Sequence, residues 1–499
     1  MKKLLVAIIF ILSLFLCHAQ PFIYEINLSA TLINRYEGFE KGSQVKISGV
    51  IHEALVEPYN QNRIKDLYYI RLNEQLSLVT RGLVDKLNFE CKTVQDIWNS
   101  EIIKKVLVSL QNKGIQKELR LEMEQDALEY IERLNSNGLR YNEPYLENYI
   151  YGLIAKIAPV DFIDGRPENV NLIILDDASL NVGMYPNGTL MITTGILSCL
   201  HSEDELVAVL SHEIAHFVLD HQIQNVNKAV SRKKRAEFWT AFATGVTAVA
   251  EGAIAANNQN YVPGMATIGM AILSSSIASQ MIDRLGMKYN HEQEGEADKL
   301  AKRILSILQY DTNALSTALA HIREVMETER SDGMYFASFT HPALSDRIMY
   351  LGNSQMPPDP NFEKEISFAV TSTARKKYGN GRFRQAIDLV SQNIVNEVAI
   401  SEDFILKAYC LFALYNNYQS NHEAMSLINS AKEINPSDIN IYKAEILAYL
   451  RLGERETALR LLQEYESKLI SLFRKDCSAH FIESELSWSK NMQIKLKGM

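Results

Sequence analysis

The stretch LSHEIAHFVLDH, Leu210 to His221, limits what this chain can fold into more than any other. Side chains four apart on an α-helix are separated by about 400° of rotation and about 6 Å of rise, so His212 and His216 project from one face toward a common point. Val207, Leu210, Ile214, Ala215 and Val218 give the same helix a core-facing side. Two imidazoles and a carboxylate set among such residues are costly to bury without partners. They fit a shared Zn²⁺: the two histidines as ligands, and Glu213, about 100° round the helix, as a general base for a water whose pKa the metal lowers. A catalytic zinc takes three protein ligands and leaves one position open. The fold therefore has to deliver a third ligand from elsewhere in the chain.

A histidine at the end of an H-x-x-G-x-x-H extension is excluded, because Leu219 replaces the glycine and His221 falls one position short. His221 itself reads as a capping or core histidine. The acidic alternative is HEQEGEADKLAKRIL, His291 to Leu305, a second amphipathic helix. Glu294 and Asp298 share one of its faces, so that one can bind metal while the other orients a ligand. Glu296 points about 160° away from Asp298 and reads as solvated.

At 499 residues the chain exceeds one hydrophobic core, and about two to four domains are expected. With 47% apolar and 22% charged residues it is globular, and a net charge of -9 supplies no footprint for nucleic acid. Residues 1–19 pair two lysines with an apolar run from Leu4 to Leu16, shorter than the ~20 residues of a bilayer span, and Ala19 precedes Gln20. This predicts a signal peptide and export; acylation at Cys17 is the competing reading. Cys91, Cys199, Cys410 and Cys477 have no metal-like spacing and read as isolated thiols.

Residues 20–90 are strand-like (FIYEINL, QVKISGVI, LYYIRL) and resemble a small SH3-like barrel, and residues 91–140 form a helical connector. NLIIL and TLMIT read as strands flanking NVGMYPNG, and Ser202 with Glu205 makes a capping box that starts the motif helix. Two weakly polar stretches between Ala236 and Ile282 read as buried or groove-lining helices, with membrane contact as the alternative. The proline-rich MPPDPNF predicts a linker over 356–365. Beyond it, residues 366–499 are helical and weakly repetitive: Ala424 and Ala458 lie 34 residues apart, the tetratricopeptide period, with Ala386 a further 38 earlier.

HEIAH preceded by SEDELVAVLS, then EGEAD, then THPALSDRI, in that order, resembles the M48 metallopeptidases, the group of the CAAX prenyl proteases, HtpX-type heat-shock proteases and mitochondrial Oma-type proteases. The likeness runs over about Tyr141–Leu351. It implies an α+β, mainly α chain, with a gluzincin-type catalytic domain at 141–355 between the small β-rich domain and the helical repeats. It implies one Zn²⁺ per chain held by His212, His216 and Glu294, with Glu213 as base and Asp298 closing the second motif. It also implies that NVGMYPNGTLMITTG supplies an edge strand for an extended polypeptide substrate. His341 matches a recurrent family position, either as oxyanion donor or as a plug on the metal, and Arg347 would anchor its loop by pairing with an acid such as Asp298. Tyr335 and Tyr350 are further candidate oxyanion donors. The gap from His216 to Glu294 exceeds that of compact soluble members by the apolar pair. The order of signal peptide, catalytic domain, linker and repeats looks like the envelope proteases that attend outer-membrane assembly in diderm bacteria. That likeness implies an envelope or periplasmic location, assembly partners on the repeats and peripheral membrane contact. The competing class is a chaperone or scaffold whose zinc site is latent.

Overall fold

The computed structural model describes residues 22–36, 39–55, 64–72, 75–106, 115–158, 170–225, 289–331, 344–352, 357–473 and 479–498. The expected signal peptide, the apolar pair between Ala236 and Ile282, Tyr335, His341 and Cys477 lie outside them.

The β-rich region is a five-stranded antiparallel sheet of order β4-β3-β2-β1-β5, formed by β1 (Phe22–Leu32), β2 (Gln44–Leu55), β3 (Ile64–Leu72), β4 (Gln75–Thr80) and β5 (Leu87–Phe89). Alternation decides its face: Leu28, Ala30 and Leu32 of β1, Val45 and Ile47 of β2, and Tyr68 and Ile70 of β3 are all buried. Register breaks at Glu25/Leu28, Ile47/Gly49 and Ile51/Ala54 let the long strands bend. Against this face sits Trp98 of α1 (Val94–Glu101), whose indole N–H donates to Ile157 O at 2.7 Å. Ile157 ends α3 (Pro144–Ile157), so one aromatic ties the sheet to the central domain. The connector between them is α2 (Ile115–Ser136).

The central domain holds a three-stranded sheet of order β6-β8-β7, from β6 (Asn171–Leu175), β7 (Val182–Met184) and β8 (Thr189–Thr193). β6 runs parallel to β8, whereas β7 is antiparallel and at the edge. The chain turns through α4 (Thr194–Leu197) into α5 (Glu203–Val218) and α6 (His221–Asn225), and resumes with α7 (His291–Leu308), α8 (Ala314–Ser331) and α9 (Leu344–Leu351). α7 and α8 pack on α5, and β7 lies along it.

Asp359 caps α10 (Pro360–Gly379) and Pro360 fills its first turn, so the carboxy-terminal part of the expected linker is a helix start. α11 (Phe383–Val395), α12 (Ser401–Leu414), α13 (Tyr418–Ile434), α14 (Ile439–Arg451), α15 (Arg455–Phe473) and α16 (Ala479–Gly498) follow, each packed on its predecessor. Ala386, Ala424 and Ala458 are fully buried on α11, α13 and α15, where a small side chain lets paired helices close up. Gly381 and Gly453, at φ +74 and +84, make the turns from α10 to α11 and from α14 to α15, a backbone state that costs glycine least. Among the described residues no helix is long and apolar enough to cross a membrane.

Candidate metal centre

Two caps hold the two helices that matter. Ser202 Oγ accepts from Glu205 N at 3.2 Å at the start of α5, while Glu205 accepts from His201 N at 2.8 Å, one residue earlier than a capping box requires. At α7, Asn290 accepts from Glu292 N and Gln293 N, and Gln293 returns to Asn290 N. This fixes Glu294 in the first turn of α7, against the middle of α5.

The geometry brings His212, His216 and Glu294 together: one ligating atom from each, all within 4.8 Å of one another and all buried. The Nε2 atoms of His212 and His216 are 3.0 Å apart, and the Glu294 carboxylate lies 3.5 Å from the first and 3.8 Å from the second. Donors about 2 Å from a tetrahedral ion stand about 3.3 Å from each other, so the set matches zinc in size and in N/O character.

The partners on the far side of each ring fit as well. Asp298 Oδ1 lies 2.9 Å from His212 Nδ1, so that proton sits on Nδ1 and Nε2 is left as ligand. Burial opposes ionisation of Asp298, but His212 and Arg347 outweigh it and hold the carboxyl below its usual range. Burial and Arg347 work against a proton on His212, yet Asp298 and Glu294 raise its affinity for one. The same negative field favours a metal cation. Arg347 spans both acids, at 3.0 and 2.6 Å from Asp298 and 2.8 Å from Glu294. The expected Arg347–Asp298 pair is thus present, with a second acid added.

His221 is a core histidine, as expected, with a contact to His216 added, whereas Glu296 departs from the solvated position expected of it. His221 is fully buried with Nδ1 2.9 Å from His216 Nδ1, and its Nε2 lies 3.3 Å from Glu296, whose side chain is only 30% exposed. One proton assignment satisfies the chain: His216 Nδ1–H donates to His221 Nδ1, and His221 Nε2–H donates to Glu296. His216 then presents Nε2 inward. A helical wheel hides this, since five residues on a continued helix would turn His221 about 140° away. α5 instead ends at Val218, and Asp220, at φ +63, doubles the chain back. Arg120 of α2 grips Asp220 at 2.9 and 2.5 Å.

Tyr289, unremarked in the sequence, stacks on His216 with ring centroids 3.6 Å apart and planes 17° from parallel. Burial, reinforced by Glu213, keeps its phenol protonated far above the usual range. The signal for it was slight: a buried aromatic just ahead of a helix cap. Tyr350 is 67% exposed, because one and two residues past the inward Ile348 the helix faces solvent, and it stands away from the centre. Glu213 is 2% exposed and, with His212 and Arg347, borders a narrow space of about 20 Å³ closed by Val182, Leu315 and Leu319.

β7 is the strand nearest this space. Tyr185 N donates to Thr189 O and Thr193 N to Asn181 O, so the odd-numbered residues face β8. Val182 and Met184 therefore turn their main-chain groups outward. Gln222 takes the Met184 carbonyl.

Residues 147–354 match the family described as Peptidase family M48. The chain is 25% identical over 227 residues to the "Putative beta-barrel assembly-enhancing protease" of Vibrio cholerae, covering 44% of this chain and 41% of that protein. It is also 25% identical over 248 residues to the mitochondrial metalloendopeptidase OMA1 of Schizosaccharomyces pombe, covering 49% of this chain and 63% of that protein. The matches thus span less than two thirds of either relative. A three-ligand cluster on two helices, inside a segment that matches this profile, leads to one conclusion: the chain carries a peptidase family M48 domain over residues 147–354.

Proposed function

We propose that this chain is an exported, zinc-dependent endopeptidase acting on polypeptides of the cell envelope. The observation that carries the reading is the convergence of His212, His216 and Glu294 within 4.8 Å, with buried Glu213 next to His212. Zinc, when held there, supplies a Lewis acid and an acidified water. Glu213 is the base that takes a proton from the attacking water and hands it to the leaving amine. Asp298 and the His221–Glu296 pair hold the two imidazoles, and Arg347 offsets part of the charge of the clustered carboxylates. Main-chain groups of Val182 pair with an extended substrate, and pairing of that kind predicts a broad tolerance of side chains. His341 is proposed as oxyanion donor or plug.

Export rests on the composition of residues 1–19, and a role beside assembly on the resemblance to the beta-barrel assembly-enhancing protease of Vibrio cholerae. The helices beyond Pro360 are proposed as tetratricopeptide-like units that recruit substrates or assembly partners.

The decisive test is casein hydrolysis by the purified zinc-loaded chain, abolished by a chelator and restored by zinc. Glu213→Gln keeps one zinc per chain and lowers the rate by about 10² to 10⁴, since an amide cannot accept the proton. Undiminished hydrolysis by that variant would refute the mechanism. A second reading, a latent protease that works as a chaperone, is favoured by how narrow the space beside Glu213 is among the described residues, at about 20 Å³ roughly the room of one water. On that reading the zinc-loaded chain binds casein without cutting it.

A further inference from the structure

A cavity of about 490 Å³ lies where the central domain meets the first two helices of the carboxy-terminal domain. That size suits a ligand of several residues rather than an ion. Its walls come from α8, the α4 turn, α10 and α11.

Two polar atoms of this wall, Nδ1 of His201 and Oγ1 of Thr373, are buried and have no hydrogen-bond partner among the described residues. Thr373 is 1% exposed on α10. A helical threonine ordinarily bonds back to the preceding turn, as Thr371 does to Ser367 O at 3.2 Å. A buried hydroxyl left without such a bond is costly, which points to a partner that arrives from outside.

The chemistry of the wall narrows that partner. Lys377, Glu324 and Asp388 all line the cavity, and His321 beside them is already turned to Glu205 at 3.2 Å, so the wall mixes both signs and forms no cluster of one charge that would select a lone ion. Burial pushes the Asp388 carboxyl up, toward its neutral form. Leu180, Val325 and Leu389 interleave apolar surface with the polar groups. Single donors and acceptors spaced among apolar patches match a peptide main chain, which offers one of each per residue.

Position links the cavity to the centre. Leu180 borders both the cavity and the narrow space beside Glu213, and α8 walls both, with Val325 on one side and Leu319 on the other. A chain paired to the outward edge of Val182 would need to pass only Leu180 to reach the cavity.

We propose that this cavity is a second binding site for polypeptide, holding an extended stretch of the substrate several residues from the bond being cut. The proposal rests on the peptidase reading and adds a hold that spans both domains. Long unfolded chains are then favoured over short peptides.

Binding and cleavage are tested apart. On the full-length Glu213→Gln chain, anisotropy of labelled β-casein reads binding alone. Thr373→Val, which removes the hydroxyl at nearly constant volume, weakens it about fivefold, and Leu389→Trp, which fills the cavity, about tenfold or more. With Glu213 intact, the same substitutions raise KM for casein by those factors and leave kcat/KM for a peptide of about four residues unchanged, because it spans only about 14 Å. Should Leu389→Trp fail to fold, Thr373→Val decides. Unaltered casein binding by Thr373→Val, or equal losses on casein and on the short peptide, overturns the proposal. A zinc-loaded chain that cleaves nothing defeats the peptidase reading alone, since casein binding by the inactive chain still responds to Thr373→Val.

Discussion

His216 is the residue whose environment says most about the centre. One ring nitrogen faces His212 and Glu294, the other His221, and Tyr289 covers its face. A ligand fixed in tautomer and orientation binds metal more tightly than one free to rotate, and loss of such an outer partner costs about 10–100-fold in affinity. His221→Phe should therefore weaken zinc binding by that factor while the fold persists, as read by competition against a chromophoric chelator. Glu296→Gln should act in the same direction but less, because Glu296 touches only the second ring. Equal zinc affinity in wild type and His221→Phe would reduce His221 to the core histidine that its sequence position suggests.

At the scale of elements, caps and buried polar pairs decide where helices begin and which faces meet. Asn290 with Gln293 starts α7 at the one register that turns Glu294 and Asp298 toward α5. In the carboxy-terminal domain Lys443 of α14 meets Glu485 of α16 at 2.7 Å, and Tyr465 of α15 donates to the same carboxylate at 2.7 Å. Both charged side chains are 4% exposed, and burial lowers the Lys443 pKa despite Glu485. Removing one partner strands the other. Glu485→Ala should cost about 3–5 kcal/mol, seen as a lower melting transition of this domain by calorimetry, whereas Lys443→Met with Glu485→Leu should recover most of it. An unchanged transition in Glu485→Ala would mean that the pair is solvated. The pairing sets which faces of three consecutive helices touch, which apolar periodicity alone leaves open.

Across the whole molecule, a single apolar cluster runs from the amino-terminal sheet through α3, β6–β8, α5, α7 and α8 into α10, where Phe362, Ile366, Ala369 and Val370 are buried. Lys376 adds an ion pair to Asp176 at 2.9 Å. α10 therefore belongs to the central core as much as to the helices that follow it. A chain ending at Met356 should lose several kcal/mol of burial, at about 1.5–3 kcal/mol for each large side chain, and aggregate. One ending at Glu397, which keeps α10 and α11, should stay soluble and bind zinc; light scattering and metal analysis of the two truncations check this. Equal solubility would show that α10 is dispensable to the core. The sequence by itself determined what repeats along one element: the facing pairs His212–His216 and Glu294–Asp298, the strand alternation of residues 22–89, and the buried alanines of the carboxy-terminal helices. Each follows from the 3.6- or 2-residue period, which any segment expresses locally. Only the tertiary structure decided that His221 doubles back onto His216, that Tyr289 covers its ring, that Arg347 spans two acids, and that α10 closes a cavity over the central domain. Those contacts join residues whose separation in sequence carries no period, so they exist only once the core has packed.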